Sequence, residues 1–149
     1  MITCQFENDG KDSLRHVVVD VLVIDGNKIL LVKRTGKLLE TGKWALPGGF
    51  LDRDETCEQG AKREVKEETG YEILIIKLMR VVDNPDRPKE DRQNVSFVYL
   101  AKPTEKTGVA DQESSEMKWF DLDKLPPVED IAFDHYDNIK IYLEADKTK

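Results

Sequence analysis

Two cysteines in 149 residues, Cys4 and Cys57, are too few for a disulfide framework. A zinc centre drawn from Cys4, Cys57, His16 and His135 would lack ligand spacing along the chain. No apolar run approaches the roughly 18–20 residues needed to cross a bilayer. The opening MITCQFENDGKD has no basic stretch leading into an apolar core, so no secretory signal is evident and a cytoplasmic location is expected. Basic residues are outnumbered, 23 Lys and Arg against 30 Asp and Glu, for a net charge of −7. That balance argues against a general binder of nucleic-acid backbone, which would carry a basic face. Repeats, low-complexity tracts and linkers are lacking too, so residues 1–149 are expected to form one domain.

What is present describes a water-soluble globular chain: 39% hydrophobic and 36% charged residues. Arg15 to Ile24 (RHVVVDVLVI) is rich in β-branched residues and predicts a buried strand. Asp25-Gly26-Asn27 is a turn signal, and Lys28 to Lys33 predicts the returning hairpin strand. Short apolar runs predict strands at Trp44 to Leu46, Tyr71 to Val82, Asn94 to Ala101 and Met117 to Phe120. Asp83 to Arg92 and Lys102 to Ser114 are expected to be loops. After Leu125-Pro126-Pro127, His135, Ile139 and Tyr142 recur at i, i+4 and i+7, predicting an amphipathic helix over Ile131 to Ala145. Strands mixed with two well-separated helices imply an α/β fold, with a mixed sheet covered on both faces.

The most informative segment runs from Gly49 to Tyr71. Nothing between Thr56 and Thr69 interrupts a helix, and Gly70 follows as a natural stop. On that helix Glu64, Glu67 and Glu68 stand at i, i+3 and i+4, so three carboxylates share one face. Like charges at this spacing weaken a helix by a few tenths of a kcal/mol per pair. A hard divalent cation with oxygen ligands offsets such repulsion. Pro47-Gly48-Gly49 upstream can bring backbone close to the same point without Cβ obstruction. The alternative is a solvated helix face laced by ion pairs among Lys62, Arg63, Lys66, Glu67 and Glu68.

With Gly49, Glu55, Arg63, Glu64, Glu67, Glu68 and Gly70 in register, the segment resembles the Nudix hydrolases, whose signature is G-x5-E-x7-R-E-U-x-E-E-x-G-U with U aliphatic. Val65 meets the first U, and Tyr71 stands where an aliphatic residue is usual. LLVKR, GKWALPGG, W-F-x-L-D-x-L-P and AFDH are looser matches outside the motif. The resemblance implies a Nudix-type α/β/α sandwich with a mixed β-sheet between helices. It also implies a Mg2+- or Mn2+-dependent hydrolase of a diphosphate linked to another group. Glu64, Glu67 and Glu68 would hold the metal with the Gly48 carbonyl, and Arg63 would pair with Glu55 as a support. The general base would be Glu64 or a glutamate further along the chain, Glu113 or Glu116.

The expected partner is a small nucleotide, and a homodimer is a further expectation, with the Arg15 to Ile24 strand as one interface. Arg34, just after the hairpin strand, is a candidate phosphate or ribose contact. Trp44 could stack on a base, although core packing is the commoner role of a Trp before a tight turn. Arg87 and Arg92 could reach a phosphate or simply be solvated, and His135 reads as a packing residue of its helix. Pro85 lies 15 residues after Gly70, about where the ADP-ribose enzymes of the resembled family often carry proline. Hydrolysis of ADP-ribose to AMP and ribose 5-phosphate is therefore the first expectation. The alternatives are a nucleoside triphosphate pyrophosphohydrolase and a non-catalytic sensor of an ADP-ribose-type ligand.

Overall fold

The computed structural model describes residues 2–36, 39–87, 92–109 and 114–146. It opens with an antiparallel hairpin of Ile2–Gln5 (β1) and Lys11–Leu14 (β2). The sequence pattern predicts no strands there, because short strands exposed on both faces carry no alternation. The one available signal is the Asp9-Gly10 turn, in which Asp9 takes φ 62° and Phe6 N–H donates to Gly10 O at 2.8 Å.

Val17–Asp25 (β3) and Lys28–Arg34 (β4) follow as the expected hairpin, turning at Gly26 with φ 55°. They pair only at Ile24↔Ile29 and Asp25↔Lys28, then diverge. Trp44–Ala45 (β5) and Gly48–Phe50 (β6) precede the helix Cys57–Thr69 (α1). Tyr71–Val82 (β7), Val95–Lys106 (β8) and Ser114–Asp121 (β9) complete the sheet, and His135–Asp146 (α2) closes the described chain. Past the divergence, β3 pairs with parallel β8 and antiparallel β6, whereas β4 pairs with β5 and β9. The seven-stranded sheet is therefore mixed, with β7 beside β8 at its far edge.

Period-two alternation in β3 sends its side chains to opposite layers. Val19, Val21 and Val23 pack with Ala61 and Val65 of α1 and with Ile73, Tyr99 and Ala101. Leu22 and Ile24 pack with Ile139 of α2, Ile131, Val98 and Leu100. Each fully buried Val, Leu or Ile contributes about 1.5–3 kcal/mol relative to leaving it in water. The result is the anticipated α/β/α sandwich, with one helix on each face. β3 has sheet neighbours along its length and Val18 to Ile24 are at most 9% exposed. It cannot serve as a dimer interface, as its apolar sequence had suggested.

Three boundaries differ from the sequence pattern by more than two residues. β8 continues through Lys106, where a loop is expected, because residues 102–106 run past the end of β3 and pair with β7 alone. That two-stranded extension is largely solvated, so its polar sequence suits it. α2 begins at His135 instead of Ile131, since Ile131 is extended (φ −102°, ψ 132°) and Phe133 takes φ 52°. Glu116 belongs to β9 opposite Lys33, not to a loop.

Candidate active site

The α1 helix is fixed at both ends by local chemistry. At its start the Thr56 hydroxyl accepts the Gln59 N–H at 3.2 Å while the Gln59 side chain accepts the Thr56 N–H at 2.8 Å, a capping box of the kind that contributes about 1 kcal/mol. At its end Gly70 takes φ 74° and donates its N–H to Lys66 O at 2.8 Å. A Cβ at Gly70 would stand 2.2 Å from the Gly108 carbonyl oxygen, so glycine is demanded twice over. With Ala61 and Val65 turned onto the sheet, Glu64, Glu67 and Glu68 face a cleft of about 350 Å³.

β6 supplies the facing backbone. Val21 N–H donates to Pro47 O and Leu51 N–H to Val17 O, so 17/51 and 21/47 are hydrogen-bonded pairs, and the alternation makes Val18/Phe50 and Asp20/Gly48 the other kind. The polar groups of Gly48 and Phe50 consequently point away from β3. Gly48 N–H donates to Glu68 Oε2 at 2.9 Å, and Phe50 O accepts from Arg63 at 3.0 Å. A Cβ at Gly48 would lie 2.0 Å from Val19 O, and one at Gly49 would lie 2.6 Å from Glu64 Oε1. The double glycine lets strand and carboxylate meet.

Arg63 ties this assembly together. Its Nε and Nη2 hold both oxygens of Glu55 at 3.1 and 2.7 Å, the pairing that the family resemblance implied. Its Nη1 reaches Glu64 at 2.9 Å and Glu67 at 3.1 Å. Hydrogen bonds from Arg63, with a further one from Asp52 N–H, hold Glu55 below the ordinary carboxylate range despite partial burial. The Arg63 guanidinium is raised in turn, chiefly by Glu55, against the opposing cost of burial, with Glu64 and Glu67 adding smaller contributions.

The rest of the cleft lining is cationic and aromatic. Arg34, Arg87 and Arg92 line the cleft with Phe50 and Phe133. The Arg34 guanidinium lies over the Phe133 ring at 4.9 Å, and that of Arg92 over Phe50 at 5.5 Å. Burial lowers the Arg34 pKa, with Glu68 and Asp20 acting against the shift. Arg87 is not the solvated charge its loop sequence suggests. It is 7% exposed and grips Asp134 with two bonds, at 3.1 and 2.7 Å.

A buried polar group also lines the cleft: Asp20 accepts from the Ser96 hydroxyl and lies 3.4 Å from His135 Nε2. Burial lowers the His135 pKa, with Asp20 and Asp134 opposing, so the ring is neutral. Sequence patterning misses Asp20, Phe50 and Phe133. A lone carboxylate inside a β-branched run was the signal that could have exposed Asp20.

Other expected residues fall elsewhere. Trp44 packs edge-on against Phe120 at 4.8 Å and does not line the cleft. Pro85 is exposed and also absent from the lining. Glu116 lies 3.8 Å from Lys33, outside the cleft. Glu113 lies outside the described residues. Among the described residues, no group of three or more His, Cys, Asp or Glu side chains is arranged to hold a metal as the side chains stand. Glu64 and Glu67 lean on Arg63, and Glu68 on Gly48. The donor set still suits a hard divalent cation: three carboxylates on one helical turn, a Cβ-free backbone beside them, and an arginine that rotamer changes can release.

This fold and this helix agree with the comparisons. The NUDIX domain family model matches residues 14–140. An ADP-ribose pyrophosphatase of Methanocaldococcus jannaschii is 38% identical over 127 residues, covering 85% of this chain and 72% of that protein. Among solved structures, a NUDIX hydrolase from Nitrosomonas europaea aligns with TM-score 0.78 and 30% identity over 96% of this chain and 85% of that one. A bifunctional NMN adenylyltransferase/ADP ribose pyrophosphatase from Francisella tularensis, complexed with AMP and a Mn ion, aligns with TM-score 0.70 and 31% identity. That alignment covers 90% of this chain and 42% of that one.

The chain belongs to the Nudix family. It is a pyrophosphohydrolase acting on nucleoside diphosphate derivatives. Names among other relatives differ in substrate, from 8-oxo-dGDP to NAD-capped RNA, and this chain spans only 33% and 38% of those two. Among the described residues no helix is long and apolar enough to cross a membrane.

Proposed function

We propose that the substrate is ADP-ribose, cleaved to AMP and ribose 5-phosphate with Mg2+ or Mn2+. The observation that carries this reading is that Glu64, Glu67 and Glu68 line the same cleft as Arg34, Arg87 and Arg92. A diphosphate needs both groups. Glu64, Glu67 and Glu68 would hold the cation with the Gly48 carbonyl. When bound, the cation neutralises phosphate oxygens and lowers the pKa of coordinated water. Arg34 and Arg92 contact the outer phosphate or ribose oxygens, each guanidinium seated over the ring of Phe133 or Phe50. Glu64 is the proton acceptor among the described candidates, because Glu116 lies outside the cleft. Arg63 and Glu55 keep the β6–α1 connection against the helix and do not touch substrate.

The test is product release from ADP-ribose, nucleoside triphosphates, dinucleoside polyphosphates and nucleotide sugars, with Mg2+ and then with EDTA. AMP released from ADP-ribose at a kcat/KM at least about tenfold above the other compounds, and abolished by EDTA, is the expected result. Preference for a triphosphate would overturn the substrate. Tight ADP-ribose binding without turnover in Mg2+ would replace hydrolysis with sensing.

A further inference from the structure

Three residues, Leu46, Pro47 and Gly48, carry the backbone into the site, and each is pinned from a different element. Leu46 N–H donates to His135 Nδ1 at 3.0 Å. Pro47 has no N–H to place, and its carbonyl accepts from Val21 N–H at 2.9 Å. Gly48 N–H donates to Glu68 Oε2. The α2 helix, the sheet and the α1 helix thus meet on three consecutive residues.

We propose that His135 is a positioning residue for the reaction: through Leu46 it fixes the turn that presents the Gly48 backbone to the carboxylates of α1. The inference rests on the proposed cation site and adds a requirement to it. An acceptor role for Nδ1 places the ring proton on Nε2, which faces Asp20 Oδ1 at 3.4 Å. Asp20 is held from behind by the Ser96 hydroxyl. The sequence Ser96, Asp20, His135, Leu46 therefore runs from the middle of the sheet to the edge of the site, and selects one tautomer of a fully buried ring. His135 lines the cleft, but its ring nitrogens face Leu46 N–H and Asp20, so the role proposed for it passes through backbone placement. A polar residue in this position is otherwise costly: a leucine at the head of α2 would pack the same space without desolvating an imidazole.

Two substitutions separate this role from a merely structural one. In His135→Asn the amide oxygen reaches the Nδ1 position and keeps the Leu46 bond, leaving Asp20 without the ring N–H. In His135→Gln the longer amide reaches the Nε2 position and keeps Asp20 partnered, leaving Leu46 N–H unbonded. Mn2+ affinity by calorimetry, the Leu46 amide proton shift by NMR, and the unfolding midpoint are measured on both and on the wild type.

The expected result is Mn2+ affinity within about threefold of wild type for Asn and about tenfold weaker for Gln, the lower end of what losing an outer partner of a metal ligand costs. The Leu46 amide should stay low-field in Asn and move upfield in Gln. A structural role as partner of Asp20 predicts the reverse order, and that order, or equal affinities in both variants, overturns the proposal. If either variant fails to fold, Leu46 amide hydrogen exchange against Mn2+ affinity across the variant that folds, His135→Met and wild type reads the same dependence. Mn2+ affinity that does not follow Leu46 protection overturns it there too. Wild-type protein that binds no Mn2+ would overturn the cation site itself, a failure distinct from equal behaviour of variants around a working wild type.

Discussion

Glu68→Gln is expected to lower kcat on ADP-ribose by about 10²–10³-fold with little change in the unfolding midpoint. The separation follows from what the carboxylate does in the fold. Glu68 Oε2 accepts the Gly48 N–H, and an amide oxygen accepts the same bond. The negative charge is what the amide lacks. Removing it withdraws one of three carboxylates from the cleft that the arginines also line, and electrostatic stabilisation of developing charge at a phosphoryl group amounts to several kcal/mol. At 1.36 kcal/mol per decade, 3–4 kcal/mol corresponds to that fall. Steady-state kinetics with differential scanning calorimetry checks it. A Glu68→Gln enzyme that turns over normally would remove Glu68 from the site.

Arg63→Ala is expected to damage both fold and activity. The guanidinium holds Glu55 through two bonds, caps Phe50 O and bridges Glu64 to Glu67. Glu55 is 14% exposed in the pair, and Asp52, Glu64 and Glu67 would lose the same cation. Breaking a fully buried pair by removing one partner costs about 3–5 kcal/mol. Arg63 retains 27% exposure, so about 2–3 kcal/mol is expected here. The pH dependence has a definite sign. Glu55 has a folded-state pKa below its ordinary 4.5, so the stability it contributes is present above that value and is lost as pH falls through the lowered one. The Arg63→Ala protein should therefore lose less stability between about pH 5 and pH 3 than the wild type. Urea unfolding at several pH values measures this. Parallel pH curves would deny the pairing its role. Activity should fall by about 10–100-fold, the usual effect of removing support from ligating side chains.

The helix of the site was legible residue by residue, and the walls around it were not. Thr56, Gly70 and the spacing of Glu64, Glu67 and Glu68 act within one helix, so capping and 3.6-residue periodicity carry them in the chain itself. The Arg63–Glu55 pair is eight residues long, and the motif resemblance supplied it. The Arg87–Asp134 pair spans 47 residues and Leu46–His135 spans 89. No local pattern encodes such contacts, so the sequence offers Arg87 as a phosphate contact or a solvated charge, and His135 as simple packing. Trp44 shows the converse: a residue suited to stacking, which the pairing of β5 with β4 directs towards Phe120. The start of α2 departs from the helical pattern for a related reason. Ile131 is apolar and in phase with the helix, but its neighbour Ala132 donates to Trp44 O and holds the chain extended until Phe133 turns it.

The central claim, that cation and diphosphate meet between the α1 carboxylates and the arginine wall, is tested most directly by crystals grown with Mn2+ and a non-hydrolysable ADP-ribose analogue, imaged by anomalous scattering at the manganese edge. Anomalous density is expected beside Glu64, Glu67, Glu68 and the Gly48 carbonyl, with Arg63 withdrawn from Glu64 and the analogue's phosphates lying towards Arg34. Manganese bound away from α1, or an ordered analogue whose diphosphate avoids that cleft, would contradict it.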